Sequence, residues 1–401
     1  SMAKKGLVIF SFLVMMAAVF GAGFYFGQDQ QPILPPEGIL NAELGKPQGL
    51  DFSLFWEAWR TLEENFVDNS KMDYQKMIYG AVSGMTSSLK DPYTVYMPPE
   101  DAKIFKEDVS GEFTGVGMEI GIRNGELTVI APLEGTPAQQ AGLMAGDKIV
   151  KIDDTFTADL TTDEAVKLIR GEKGTKVVLT IFREDWLQAK DFEIIRDVIE
   201  VPSLKLTMKE GNIAYINLYQ FSEIATGAFN KTAAEILASP ADRIILDLRN
   251  NPGGYLEVAQ DIAGWFLKKG ELVTIEDFGG SIENEEYRSL GSGRLSSYPL
   301  VILINKGSAS ASEILAGALR DNRNIQLIGT QSFGKGSVQT LKELKKGSLK
   351  VTVAKWLTPK GTLIDKEGLK PDIEIELTEK DIDAGKDPQL EKAIEIIKEI
   401  R

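Results

Sequence analysis

The strongest indication of the fold lies in Leu300-Val-Ile-Leu-Ile-Asn-Lys-Gly-Ser-Ala-Ser-Ala-Ser-Glu-Ile314, where an apolar run passes through a turn of small residues into a helix. A strand without polar residues is typical of a sheet that is covered on both faces. The flanking sequence repeats this alternation, with strand-like runs at 213–218, 243–248 and 324–329 and helix-like runs at 223–237, 256–267 and 312–321. Residues 201–375 are therefore predicted to form an α/β core.

Composition limits the chemistry that this core can carry. The 401 residues include no histidine and no cysteine, which excludes a Ser-His-Asp triad, a cysteine nucleophile, disulfides and thiolate metal sites. No metal or cofactor is predicted, since a tight zinc site also needs these ligands. The net charge of −14 argues against non-specific nucleic-acid binding. A serine nucleophile would need another base, and a buried lysine can act as one because desolvation lowers its pKa.

Three serines, Ser308, Ser310 and Ser312, stand where the strand turns into the helix. Free N–H groups and the positive end of the helix dipole gather at such a turn, and the N–H after the serine can face a developing oxyanion. The alternative is that the serines only cap the helix. Local sequence does not separate Ser308 from Ser310.

A lysine motif, Ser332-Phe-Gly-Lys-Gly-Ser-Val-Gln339, supplies the candidate base, Lys335. The preceding residues resemble a phosphate-binding GxxxxGK loop, but Gly336 replaces the hydroxyl residue that would hold Mg²⁺, and a strand rather than a helix follows. In a strand, Lys335, Ser337 and Gln339 would share a face, so Gln339 could hold the amine. A solvated surface lysine is the alternative.

A third motif, Asp247-Leu-Arg-Asn-Asn-Pro-Gly-Gly254, runs from a strand end into a glycine turn. Such a turn can present an N–H group to an oxyanion, although an ordinary loop is an equal alternative. By contrast, Ser87-Ser-Leu-Lys90 matches an SxxK motif but lies at a predicted helix end without the accompanying Ser-Asp-Asn. It is therefore set aside.

The N-terminus carries a targeting signal. Lys4 and Lys5 precede an uncharged, largely apolar run from Gly6 to Gln28, which is long enough to span a bilayer. Two lysines before the run and none just after it predict that the N-terminus lies inside. An uncleaved anchor is favoured over a cleaved signal peptide, because the run is long and no clear small-x-small site precedes its bulky end. Either interpretation places the rest of the chain on the extracytoplasmic side.

Composition shifts divide the chain into six predicted regions, which are a membrane segment at 1–28, a linker at 29–50, a helical region at 51–109, a β-rich module at 110–200, the α/β core at 201–375 and a helical tail at 376–401. The helical region shows apolar residues at three- to four-residue spacing. The β-rich module has short strand-like runs and one helix, which opens at Thr161-Thr-Asp-Glu164 with an N-terminal capping pattern.

Taken in this order, these motifs resemble those of the carboxy-terminal processing peptidases, also called tail-specific proteases, across nearly all of residues 50–375. The resemblance rests on the three motifs above and on Gly80–Met85, Asp91–Tyr96, Thr358–Gly361 and Gly368–Asp372. It implies that Ser310 is the nucleophile, Lys335 the general base and Gln339 the residue that orients the lysine. The implied oxyanion hole consists of the N–H groups of Ala311 and of Gly253 or Gly254.

The β-rich module resembles a PDZ domain, and its implied carboxylate-binding loop comprises Gly115, Val116, Gly117 and Met118. A substrate tail would add as a strand beside Val116–Ile120, packed against the helix at 161–169, with its terminal carboxylate on backbone N–H groups. Arg170 is the candidate for coupling this domain to the protease. A surface arginine that complements the helix dipole is the alternative.

The expected function is that of a membrane-anchored, extracytoplasmic serine endopeptidase with a Ser-Lys dyad, which binds peptide or protein substrates through their free C-termini. The membrane is an expected partner through the N-terminal segment, and an adaptor protein and assembly into a homo-oligomer are left open. The alternative function is a non-catalytic PDZ adaptor that binds protein C-termini.

Overall fold

The computed structural model describes residue 45 and residues 49–183, 185–378, 380–381 and 384–400. The chain divides into two compact units, residues 1–73 and residues 74–401. The predicted membrane segment at 1–28 lies outside the described residues, as does most of the predicted linker. In the part of the chain that is described, no helix is both long and apolar enough to cross a bilayer.

The described part of the first unit is one amphipathic helix, α1 (Ser53–Asn65), followed by a short 3₁₀ turn at Asn69–Lys71. Aromatic side chains recur along this helix, and the rings of Phe55 and Trp56 meet edge to face with centroids 4.8 Å apart. The three- to four-residue spacing of its apolar residues explains why this segment is helical.

The second unit opens with α2 (Tyr74–Ser87), β1 (Val95–Met97) and α3 (Pro99–Ser110). Asp91-Pro92 separates α2 from β1, since proline disfavours helical backbone in the residue before it. Gly111, in the left-handed conformation with φ of 87°, ends α3.

The β-rich module follows, and a two-stranded sheet of β2 (Glu112–Gly115) and β9 (Asp197–Glu200) closes its two ends. Its main antiparallel sheet has the order β3-β4-β5-β7-β8, with β6 paired to β5. These elements are β3 (Met118–Arg123), β4 (Glu126–Pro132), α4 (Pro137–Gln140), β5 (Lys148–Ile152), β6 (Thr155–Phe156), α5 (Thr162–Ile169), β7 (Lys176–Phe182) and β8 (Lys190–Ile195). At the start of α5, Thr161 and Glu164 form the predicted capping box.

The α/β core contains a six-stranded sheet in the order β10-β11-β12-β15-β16-β19, which is parallel except for the β10–β11 pair. Its strands and helices are β10 (Leu204–Lys209), β11 (Ile213–Leu218), α6 (Ala225–Ala238), β12 (Arg243–Asp247), α7 (Leu256–Phe266), β15 (Leu300–Ile304), α8 (Ala311–Arg323), β16 (Gln326–Gly329) and β19 (Ile373–Glu374). All five residues of β15 are buried, as expected for a central strand covered on both faces.

A second sheet contains β1, β13 (Leu272–Asp277), β14 (Glu285–Arg288), β17 (Ser337–Glu343) and β18 (Ser348–Leu357). In this sheet β18 is central, because it pairs with β1, β13 and β17. The lysine motif therefore leads into a strand, as predicted, and β18 lies between that strand and β1 from much earlier in the chain.

The C-terminal helix, α9 (Pro388–Glu399), covers the face of the parallel sheet opposite to α6, α7 and α8. Its buried Ala393 and Ile397 pack in one cluster with Ile245, Val301 and Leu303. The apolar face of this helix therefore packs on the sheet.

Candidate active site

Three loops meet at the carboxyl edge of the parallel sheet. They follow β12, β15 and β16, and the pairing of Asp247 with Leu303 and of Ile304 with Gly329 brings these strand ends level with one another. These loops hold the three motifs found in the sequence. The carboxyl ends of parallel strands are where open α/β sheets place their ligands.

Ser310 occupies the N-cap position of α8 in a strained backbone conformation, with φ of 55° and ψ of −116°. Residues other than glycine rarely adopt this region, and such strain concentrates at functional sites. The Ser310 N–H donates to Glu313 Oε2 at 2.9 Å. The serine side chain is consequently presented at the tip of a sharp strand-to-helix turn.

The neighbouring serines are committed to the fold. Ser308 Oγ donates to the Leu248 carbonyl at 2.8 Å and accepts from the Asn305 N–H at 2.9 Å. Ser312 Oγ donates to the Asn251 carbonyl at 2.9 Å. Both side chains are fully buried, whereas Ser310 is only half-buried. Exposure therefore distinguishes Ser310 from its neighbours, which the local sequence could not do.

The glycine turn lies directly against Ser310, since a Cβ on Gly253 would come within 2.8 Å of Ser310 Cβ and 3.0 Å of the Ala311 nitrogen. The Gly253 N–H donates to Asn251 Oδ1 at 2.9 Å. The N–H groups of Gly254 and Ala311 donate to no acceptor in the described residues. Of the two glycines that the sequence offered, Gly254 is the one whose N–H is available to an oxyanion.

Lys335 approaches from the loop after β16. Its Nζ lies 5.4 Å from the centre of the Tyr93 ring, and no hydrogen bond or ion pair of this amine occurs within the described ranges. Burial lowers the pKa of Lys335, and the charge of Lys350 lowers it further, whereas Glu313 acts in the opposite direction. These surroundings favour the neutral amine that a general base requires.

The Gln339 side chain contacts a residue of its own strand, β17. Its Nε2 donates to Ser337 Oγ at 2.7 Å, next to a register shift between Val338 and Gln339 in the β17–β18 pairing. The contact shows that Ser337 and Gln339 share a face. The orientation of Lys335 by Gln339 stays a prediction.

The PDZ-like module presents a groove between β3 and α5. It is lined by Phe113, Val116, Gly117, Met118, Ile120, Val166, Ile169 and Arg170. Gly117 has φ of 78°, and its carbonyl accepts from Thr136 Oγ1 at 2.7 Å, which fixes the loop. The N–H groups of Val116 and Gly117 meet no acceptor among the described residues, so a carboxylate could use them.

Arg170 stands at the end of this groove. Its guanidinium lies 4.5 Å from the centre of the Phe113 ring and 2.6 Å from Asp108 Oδ1. The carbonyl of Asp108 accepts from Gln220 Nε2 at 2.9 Å, and the next residue, Phe221, donates its N–H to the Gly253 carbonyl at 2.9 Å. A continuous path of contacts thus joins the groove to the glycine turn.

Comparison with known proteins assigns the family. Residues 212–375 match the model of peptidase family S41, and residues 128–183 match a PDZ domain model. The chain is 37% identical over 376 residues to the carboxy-terminal processing protease CtpA of Bacillus subtilis (strain 168). This alignment covers 93% of this chain and 78% of that relative. The chain belongs to the carboxy-terminal processing protease family.

Further comparisons agree with this assignment. Residues 35–101 match the model of the activating protease CtpB N-terminal domain. A carboxy-terminal-processing protease of Bartonella bacilliformis is 43% identical over 312 residues, or 76% of this chain and 70% of that one. A crystal structure described as an S41 protease, from Bacteroides fragilis NCTC 9343, shares the fold with a TM-score of 0.52 and 15% identity over 85% of this chain and 97% of that one.

The expected multidomain α/β fold, with a PDZ domain and a serine protease core, is therefore confirmed. No role was predicted for Glu313, although this residue joins the serine and lysine motifs. Its carboxylate accepts from the N–H groups of Ser310 and Lys335 at 2.9 and 3.0 Å, and from Ser332 Oγ and the Gly334 N–H at 2.6 and 2.7 Å. A glutamate three residues after an N-cap serine is a capping signal that could have revealed half of this role.

Burial raises the pKa of Glu313, while its four hydrogen bonds act in the opposite direction. A carboxyl with so many donors is a structural acceptor, not a free base for catalysis. In this family member the Glu313 carboxylate binds the backbone N–H groups of both Ser310 and Lys335 and so keeps the two segments together.

Asn251 is the second residue that sequence reasoning missed. Its side chain is completely buried, donates from Nδ2 to the Leu218 carbonyl at 2.7 Å and accepts the Gly253 N–H. The Asn251 carbonyl accepts from the Ala309 N–H at 3.0 Å. One asparagine thus fixes the glycine turn against both β11 and the serine motif.

Proposed function

We propose that this serine protease cleaves with a Ser310–Lys335 dyad and selects substrates by their C-termini, which its PDZ domain binds. The observation that carries the proposal is the position of Ser310. It is half-exposed at a strained helix N-terminus, beside two free backbone N–H groups and linked through Glu313 to the segment of a desolvated lysine.

In the proposed reaction, Ser310 Oγ attacks the substrate carbonyl carbon while the neutral Lys335 amine takes the hydroxyl proton. The N–H groups of Ala311 and Gly254 stabilise the oxyanion. The lysine ammonium then protonates the leaving amine, and the peptide bond breaks to give an acyl-enzyme. Water hydrolyses the ester with Lys335 again acting as base.

The two side chains of the dyad are not hydrogen-bonded in the described part of the molecule, so the proposal requires the lysine amine to approach the serine when substrate binds. The contacts of Arg170 with Asp108, and of Asp108 with Gln220, favour coupling of this step to the PDZ groove. The C-terminal carboxylate of a substrate, bound by the N–H groups of Val116 and Gly117, would lie close to this series of contacts.

The proposed location is the extracytoplasmic face of the membrane, with residues 1–28 as the anchor. The support for it is the sequence pattern of two lysines followed by an uncharged apolar run.

The test uses the full chain in detergent micelles and an unstructured protein that ends in an apolar tail. The parent should cleave it, Ser310→Ala should not, and Ser297→Ala, a change at an exposed serine, should retain cleavage as the matched control. Amidation of the substrate C-terminus should weaken cleavage. Equal activity of the parent and Ser310→Ala would refute the dyad, and tail-dependent binding without cleavage by the parent would support the adaptor alternative.

A further inference from the structure

A second lysine, Lys350, lies on the same face of the second sheet as Gln339. In the pairing of β17 with β18, Gln339 is directly opposite Thr352 and Leu341 is directly opposite Lys350. Directly paired residues of antiparallel strands project to the same side, and residues two apart on one strand do as well. Lys350 and Gln339 therefore face the same space, which lies next to the lysine motif.

The other neighbour of Lys350 connects it to Lys335. Lys350 is directly paired with Val95 of β1, only two residues after Tyr93, whose ring lies 5.4 Å from Lys335 Nζ. On the side of the helix α3, Lys350 Nζ lies 5.1 Å from the centre of the Phe105 ring. Lys350 is half-buried, and it makes no hydrogen bond or ion pair in the parts of the chain that are described.

The two amines differ in the carboxylate that each one meets. Burial lowers the pKa of Lys350, as it does that of Lys335, whereas the Asp91 carboxylate acts on Lys350 in the opposite direction. The pKa of Asp91 is itself lowered by hydrogen bonds despite its burial, so this carboxylate is ionised and favours the charged form of Lys350. The carboxylate beside Lys335 is Glu313, which already accepts four hydrogen bonds. When two buried amines interact, the one with weaker anionic support loses its proton first, and here that amine is Lys335.

Other charged groups around this space are already paired. Asp365 lies 3.2 Å from Lys355 Nζ, and Lys106 of α3 pairs with Glu343 of β17. Because these charges are balanced, Lys350 is left as the cation that acts on the Lys335 amine.

We propose that Lys350 is a positioning residue for the dyad, whose ammonium charge holds the Lys335 amine in its neutral, proton-accepting form. A lysine placed next to another cation is an established way to activate an amine at neutral pH. The inference rests on the proposed function, since it assigns Lys350 a role in preparing the base of that reaction.

The test measures the protonation of Lys335 directly. The full chain is acetylated with trace acetic anhydride over a series of pH values, and mass spectrometry of the peptides gives the midpoint at which Lys335 becomes reactive. Lys350→Met should raise this midpoint, whereas Lys350→Arg, which keeps the charge, should leave it unchanged. Lys342→Met is the matched control, because Lys342 is exposed one position from Leu341, on the opposite face of the same sheet.

An unchanged midpoint in a folded Lys350→Met protein would overturn the inference.

Cleavage assays then separate this inference from the proposed function. In Lys350→Met, activity should fall about tenfold below the midpoint for each unit of its rise and recover at higher pH. An equal loss at every pH would indicate a structural role for Lys350 and refute the inference. Absence of cleavage by the parent would refute the proposed function, while acetylation would still decide the role of Lys350.

Discussion

Replacing Asn251 with alanine should destabilise the protein and disable the oxyanion site together. The side chain makes two buried hydrogen bonds, one to the Leu218 carbonyl and one from the Gly253 N–H. A buried polar group left without a partner costs roughly 1–3 kcal/mol, so two of them should lower the free energy of unfolding by about 2–6 kcal/mol. This is a large part of the roughly 5–15 kcal/mol that stabilises a typical domain.

The same change should release the turn that presents the Gly254 N–H. Loss of one oxyanion donor typically lowers kcat about 10²–10³-fold, and we expect an effect of this size on the turnover of the folded fraction. The affinity for the substrate tail should not change, because Asn251 lies in the protease core and not in the PDZ groove.

Urea denaturation followed by tryptophan fluorescence measures the loss of stability. Turnover measured without denaturant, divided by the concentration of folded protein, measures the loss of activity. Asn250→Gly is the matched control. Asn250 is exposed with φ of 58°, which glycine adopts without strain, so this change should cost less than about 1 kcal/mol. The predicted loss of stability would be refuted by an Asn251→Ala protein that is as stable as the Asn250→Gly protein. The predicted loss of the oxyanion donor would be refuted by an Asn251→Ala protein whose folded fraction turns over substrate as fast as the parent.

Three further predictions concern the base and the coupling path. Burial lowers the pKa of Lys335, and only the neutral amine accepts a proton. The value of kcat should therefore rise with pH and reach a plateau below the ordinary lysine pKa of about 10.4. A kcat that is flat between about pH 5 and 10 would contradict this prediction. Gly336→Ala would place a Cβ 2.0 Å from the Asp365 nitrogen, and the resulting displacement of the base should lower kcat by about 10²-fold. Gly227→Ala is the control, because its Cβ would meet no atom within 4 Å. Equal turnover of the two variants would count against the effect. Arg170→Ala should reduce the advantage of a free over an amidated substrate tail, measured as the ratio of their cleavage rates, and an unaltered ratio would remove Arg170 from the coupling path.

The elements that the sequence predicted well have a strong local pattern. The helix expected at 312–321 is observed at Ala311–Arg323, and the strand expected at 300–304 is observed at Leu300–Ile304. Both are encoded by runs of apolar or small residues that leave little choice of local structure. By contrast, β18 was not predicted, because its residues alternate less clearly and its partners β1 and β17 come from distant and adjacent parts of the chain.

The candidate site, like the fold, was only partly predictable from the sequence. The three motifs, and the resemblance that they carry, could be found in the sequence because each is a short run of residues with special backbone requirements. The partner of Gln339 could not, because Lys335 and Ser337 share a face with it in a regular strand, and only the folded geometry shows that its amide reaches Ser337 Oγ. The donor available to an oxyanion could not be chosen either, because the choice between Gly253 and Gly254 depends on the hydrogen bond to Asn251.

By itself, the sequence determined the class of chemistry. A chain without histidine and cysteine has few ways to activate a serine, and its strand, turn and helix patterns indicate an α/β core. Only the tertiary structure decided which serine is exposed, which N–H groups are free and which side chains surround Lys335. These properties depend on burial and on contacts between residues far apart in the chain, such as Tyr93 with Lys335 and Val95 with Lys350, and no local pattern encodes those distances.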